Sequence, residues 1–186
     1  MHDLTPLTAL GSGAPQTDTI GPVTISENPD SALVSVAARL GQEAACARVL
    51  AAILGVPAPD VAQFVQGATL GAFWTAQHCW MVDGPDDPQA GLSARLKAEL
   101  GDMASVTDQS VGWVRFDLQG DGLGVLFERL CNLDMARMPT GSARRSVIEH
   151  LGCFVLHRDG GYTVYGPRSS AQSLHHALVT AARSVF

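Results

Sequence analysis

The chain has 186 residues, 46% of them apolar, with a formal net charge of −6. That length suits one domain, or two tightly packed halves, with a real core, and the apolar content argues against overall disorder. The acidic balance and the lack of a dense Lys/Arg cluster exclude a protein that tracks a phosphate backbone.

Residues 1–18 are rich in Thr, Pro and Gly and read as a flexible arm, ordered only against something else. Its Leu4, Leu7 and Leu10 recur regularly, but Pro6, Gly11 and Gly13 argue against a lone helix. Residues 23–25 form a strand, Asn28-Pro29-Asp30 a turn, and residues 33–40 a second strand ended by Gly41. Residues 43–54 are a helix, apolar nearly all round and so expected to be buried on more than one side; Gly55 and Pro57 stop it. After a loop over 58–69, strands at 70–74 and 79–82 pair. A helix through Leu92, Leu96 and Leu100 follows, opened by Asp86, Asp87 and Pro88.

A second run repeats the order. Strands fall at 105–107 and 113–118, and the Gly120-Asp121-Gly122 turn leads into a helix over 122–131. Residues 144–151 and 153–157 are strands, and 162–165 is another beyond the Asp159-Gly160-Gly161 turn. Ser169 caps a last helix, with Gln172 completing a capping box and Leu174, Ala177, Leu178, Ala181 and Val185 on the apolar face. The expected fold is α+β: one domain over 19–186, with two similar ββαββα halves, about 19–103 and 104–186, packed as one unit.

No residue stands out as catalytic, cofactor-binding or metal-ligating. His150 and Cys153 fall on opposite faces of a strand unless Gly152 bulges it, and with His157 they lack a further cluster to complete four ligands. The neighbours His175 and His176 sit about 100° apart on a helix and read as its solvated edge. Asp108, Asp117, Asp121 and Asp134 suit strand faces and helix ends, with Asp117 facing outward. Gly11-x-Gly13 and Gly120-Asp121-Gly122-Leu123-Gly124 lack the spacing of a dinucleotide site. Trp74, Trp80 and Trp113 each lie on a strand and suit a core or a protein contact. Cys46, Cys79, Cys131 and Cys153 form no Cys-x-x-Cys pair and read as reduced thiols of a cytoplasmic protein. No leader and no spanning apolar run is visible, Arg48 interrupting the best candidate.

Longer phrases add a resemblance. Asp108-x-Ser110, a strand, a Gly-containing turn, a Leu-rich helix and Asn132-x-Asp134 resemble the repeated unit of the folate-binding, aminomethyltransferase-like fold. Ala72-Phe73-Trp74, Trp80-Met81-Val82, Gly112-Trp113-Val114-Arg115-Phe116-Asp117-Leu118, Val147-Ile148-Glu149-His150-Leu151-Gly152-Cys153-Phe154 and Tyr165-Gly166-Pro167-Arg168-Ser169-Ser170 are similar to the gamma subunit of heterotetrameric sarcosine oxidase. The resemblance runs from about Thr19 to the C-terminus.

It implies a complex that oxidatively demethylates sarcosine to glycine, with hydrogen peroxide and a one-carbon unit passed to tetrahydrofolate. The implied partners are alpha, beta and delta subunits, chiefly alpha. FAD, FMN, NAD, zinc and tetrahydrofolate are implied on those subunits and none on this chain. Two other expectations stand beside it: a folate-binding one-carbon transferase domain, for which no matching folate carboxylate is found here, and a free-standing scaffold module.

Overall fold

The computed structural model of the chain describes residues 6–85 and 91–186. It is an α+β structure with two antiparallel sheets. In chain order the elements are β1 (Thr17–Ile20), β2 (Val23–Glu27), β3 (Ser31–Ala38), α1 (Glu43–Leu54), β4 (Phe64–Gln66), β5 (Gly71–Ala76), β6 (Cys79–Pro85) and α2 (Leu92–Leu100). There follow β7 (Ala104–Asp108), β8 (Trp113–Gly120), α3 (Leu123–Glu128), β9 (Ala143–Ile148), β10 (Leu151–Arg158), β11 (Gly161–Pro167) and α4 (Ala171–Val185). Short 3₁₀ turns precede β7, β9 and α4.

The chain divides into two compact units. The first holds residues 1–29, 112–140 and 145–186, the second residues 30–111 and 141–144. These are not the sequential halves at 19–103 and 104–186, because β2 pairs with β8 rather than with its chain neighbour β3. Two strands, β1 and β4, also extend the expected ββαββα order. Both are short, and each has a strand neighbour on one side only.

In the first unit the six strands run β1-β2-β8-β11-β10-β9. One face carries Val23, Ile25, Val114, Phe116, Leu118 and Val164, packed with Leu126 and Phe127 of α3 and Leu174 and Leu178 of α4. Alternation along β8 sends every second residue to this core, as a period of two requires. Thr163, Phe154, Leu156 and Tyr165, outside that cluster, are also buried. The second unit has the order β4-β5-β6-β3-β7. Its core joins Val34, Val36 and Val82 to Cys46, Leu50 and Leu54 of α1 and to Leu92, Leu96 and Leu100 of α2.

Several expectations need correction. Helix α1 buries one stripe only, since Ala44, Arg48 and Ala52 are exposed; its outward positions are largely small alanines with little apolar area to hide. Gly55 closes it in the left-handed conformation, its N–H donating to the Ala51 carbonyl. The capping box at Ser169 is not formed. A 3₁₀ turn over Arg168–Ser170 delays α4 to Ala171, and the Gln172 amide donates instead to the Leu10 carbonyl. The strand expected over 144–151 breaks at Glu149 and His150, both at positive φ (49° and 64°), which turn β9 into β10. Helix α3 ends at Glu128, tightened by bonds from Arg129 N–H to the Leu126 carbonyl and Leu130 N–H to the Phe127 carbonyl. Asp86, Asp87, Pro88 and Leu4 lie outside the described residues.

Residues 7–16, expected as a flexible arm, are held by the first sheet, and Thr17 and Asp18 belong to β1. Glu27, only 5% exposed, accepts the Leu10 N–H at 3.0 Å and the Gln16 N–H at 3.3 Å on its two carboxylate oxygens. Arg168 donates to the Leu7 carbonyl at 3.1 Å, and Ala9 and Leu10 pack on the core. A buried carboxylate needs such donors, and the segment supplies them. All four cysteines are free. No described helix is long and apolar enough to cross a membrane.

Candidate functional site

A dense polar cluster of the first unit is built on β8 and β11. Because Val114, Phe116 and Leu118 take the core face of β8, Arg115 and Asp117 share the other. Antiparallel register sets Thr163 opposite Asp117 and Tyr165 opposite Arg115. The Thr163 hydroxyl, 1% exposed as a residue, donates to Asp117 Oδ1 at 2.5 Å, the short distance typical of a charge-assisted bond. Arg115 Nε donates to the same oxygen at 3.0 Å, and Asn28 Nδ2 donates to Oδ2 at 3.0 Å. Arg158 Nε in turn donates to Thr163 Oγ1 at 2.8 Å. A small recess of about 120 Å³ lies over Asp117, Arg158 and Tyr162.

Asp117 takes the face of β8 away from the core, as expected, but its side chain is only 22% exposed and is engaged by partners rather than by water. Burial alone would raise its pKa. The Arg115 charge and the bonds from Thr163, Arg115 and Asn28 outweigh that and hold the carboxyl below the usual range. It stays ionised at neutral pH with its acceptor sites engaged. Its chemistry is that of an electrostatic anchor across β2, β8 and β11, not of a general base poised to take a proton.

A larger groove, of about 580 Å³, runs between α4 and the β9–β10 turn. Leu130, Ala177 and Ala181 supply apolar lining; Arg129, Glu149, His150 and His176 supply polar groups. The turn is a two-residue reversal with both central residues at positive φ, the geometry of a mirror-image type I hairpin turn.

The remaining candidates are scattered. His150 is exposed in the turn, Cys153 is fully buried, and His157 donates its Nδ1–H to the Met138 carbonyl at 2.6 Å while stacking on Tyr162. Among the described residues no group of three His, Cys, Asp or Glu is placed to hold a metal ion. His175 is not a solvated edge: its Nε2 lies 2.8 Å from Asp18 Oδ2 and its ring against Phe116. His176 is exposed and lines the groove. Asp108 accepts the Ser110 N–H, Asp134 caps a 3₁₀ turn by accepting the Arg137 N–H, and Asp121 is exposed. Trp80 is buried and donates to the Pro59 carbonyl at 2.9 Å. Trp74 lies opposite it in register, and Trp113 packs on Phe154.

The glycine turn after β8 is filled from within. A Cβ on Gly120 would meet the Pro22 carbonyl oxygen at 1.9 Å, and one on Gly122 the Phe186 ring at 2.8 Å. Those glycines serve close approach of β2 and the C-terminal residue, not a phosphate. Burial raises the Cys153 thiol to about 11 and raises Cys46 and Tyr162 as well, so these groups are protonated at neutral pH. Sequence reasoning missed the parts of Glu27, Arg158 and Thr163. Arg115 and Asp117, opposite charges two residues apart on one strand face, were the available signal.

Comparison with solved structures places this arrangement. A chain of the heterotetrameric sarcosine oxidase from Corynebacterium sp. U-96, in complex with pyrrole 2-carboxylate, superposes with a TM-score of 0.75 at 18% identity, covering 87% of this chain and 84% of that one. The fold is aminomethyltransferase-like. Aminomethyltransferase T of the glycine cleavage system from Bartonella henselae matches with a TM-score of 0.63 at 17% identity over 89% of this chain, which spans about half of that protein, 50%. No protein-family model and no curated protein sequence matches the chain.

Proposed function

We propose that the chain is the gamma-type subunit of a cytoplasmic heterotetrameric sarcosine oxidase, without catalytic residues of its own, that assembles chiefly with the large alpha subunit. The observation that carries this reading is the likeness over 87% of this chain and 84% of the sarcosine oxidase chain, a near end-to-end match. The phrases around Trp113–Leu118 and Tyr165–Ser170 point the same way. The complex demethylates sarcosine oxidatively to glycine, with peroxide and a one-carbon unit for tetrahydrofolate. FAD, FMN, NAD, zinc and tetrahydrofolate belong to the alpha, beta and delta partners, and this chain contributes a folded surface for assembly.

The test is co-expression of the tagged chain with the flavin-bearing subunits of its host. A stoichiometric complex with sarcosine-dependent peroxide production is the expected result. Partner subunits that assemble and turn over sarcosine while this chain purifies alone would overturn the reading. A second reading, a one-carbon transferase domain that binds tetrahydrofolate itself, draws on the likeness to aminomethyltransferase T. Saturable binding of tetrahydrofolate to the isolated chain would favour it.

A further inference from the structure

We propose that the outer edge of β9, over residues 145–148, docks an extended segment of the large partner subunit, which adds to the sheet as a strand and lays a carboxylate side chain into the groove beside α4. The inference rests on the assembly role proposed above and names the surface that performs it.

Strand β9 ends the first sheet and has a strand neighbour, β10, on one side only. An edge strand presents a row of N–H and C=O groups that pair readily with another chain unless charge, proline or a covering segment blocks them. Part of this edge is already covered: the Ala143 N–H donates to the Ala62 carbonyl at 2.9 Å, and Ser142 bridges Gln63. The Arg144 guanidinium reaches the same Ala62 carbonyl. Farther along, Val147 is 58% exposed, and the strand contains no proline.

The groove lies against this open stretch, since Val147 lines it together with α4. Its volume, about 580 Å³, takes several side chains. Leu130, Ala177 and Ala181 suit an apolar residue of the added strand. Arg129, His150 and His176 are rich in N–H donors, and Glu149 is the single carboxylate among the lining residues. With the exposed Arg145 of the open stretch, two guanidiniums stand beside this one carboxylate, against a net −6 for the whole chain, and this favours an acidic occupant. The turn adds a further sign. Glu149 and His150 occupy left-handed backbone that Asn or Gly would adopt at lower cost, and they set a carboxylate and an imidazole at the groove's mouth. Strand addition with alternate side chains read by pockets is an established mode of peptide recognition.

The experiment uses the full chain co-expressed with the partner subunits, with hydrogen–deuterium exchange of free and assembled chain and with variants Arg129→Glu and Val147→Pro. Arg129 is exposed, so its reversal spares the core. The expected result is slowed exchange at 145–148 on assembly and assembly weakened about tenfold or more by each variant. If the complex forms with unprotected 145–148 and Arg129→Glu assembles normally, the docking site is overturned while the subunit reading stands. If the wild-type chain forms no complex, both fall. Self-association of the chain alone, abolished by Val147→Pro, overturns the inference by making a second copy the occupant.

Discussion

The Thr163 hydroxyl and the Asp117 carboxylate face each other across the β8–β11 ladder and bond directly. Thr163 also accepts from Arg158, so one small side chain links a guanidinium to a carboxylate through a single oxygen. Thr163→Val keeps the shape and removes both bonds. The expected cost is about 2 kcal/mol, or roughly 4–8 °C in melting temperature for a chain of this size. An unchanged melt, followed by circular dichroism, would show that Arg115 and Asn28 satisfy Asp117 without the hydroxyl.

Acid should weaken the fold through Asp117. Its pKa is lowered in the folded chain, so the unfolded chain takes up the proton first as pH falls. The contribution is full above the unfolded carboxylate value of about 3.9 and fades as pH drops through the lower folded value. Chemical denaturation of wild type and Asp117→Asn at a series of pH values checks this. The gap between them should be widest near neutrality and close below pH of about 4. A gap that stays constant would place the effect elsewhere.

Two glycines near the same turn should respond in opposite senses. Gly120 sits at φ 115° with the Pro22 carbonyl where a Cβ would go, so Gly120→Ala should impair folding outright. Gly124 lies inside α3 at ordinary φ with nothing within 4 Å of an added Cβ. There Gly124→Ala should stabilise by about 0.5–1 kcal/mol. Paired thermal melts decide, and equal destabilisation by the two would contradict the local geometry.

Removal of residues 1–16 should lower the melting temperature of the isolated chain. The truncation strips the Glu27 carboxylate of the Leu10 and Gln16 N–H donors and uncovers core under Ala9 and Leu10. Glu27→Gln in the full chain gives the carboxylate's share separately. Indifference to the truncation would return this segment to the status of a loose arm.

The strongly periodic elements were readable from sequence. Helix α1 occupies the expected residues, and the alternation of β8 matches its burial residue by residue. Strand β1 was not seen, because Thr17, Asp18 and Thr19 are polar and the strand is paired only with β2. The β9–β10 turn was missed for a chemical reason: Glu-His carries none of the Asn-Gly signature such turns favour. The cluster around Asp117 was half visible. Arg115 shares its strand face, but Thr163 lies 46 residues away and Asn28 lies 89 away, and periodicity within a window cannot join them. His175 was misread likewise, since its partner Asp18 stands 157 residues upstream.

The interleaving of the two units bears on synthesis. The β1–β2 hairpin emerges early, yet its next neighbour in the sheet, β8, is made only after the chain has passed through the whole run from β3 to β7. Asn28 and Asp117, which bond across that gap, are 89 residues apart, or roughly 4–18 s of translation at about 5–20 residues per second. Through that interval Val23 and Ile25 have no core to enter, while the strands of the second unit are already available to pair. A ribosome paused short of Trp113 therefore carries an apolar hairpin open to aggregation or chaperone capture, however well the intervening segment has folded.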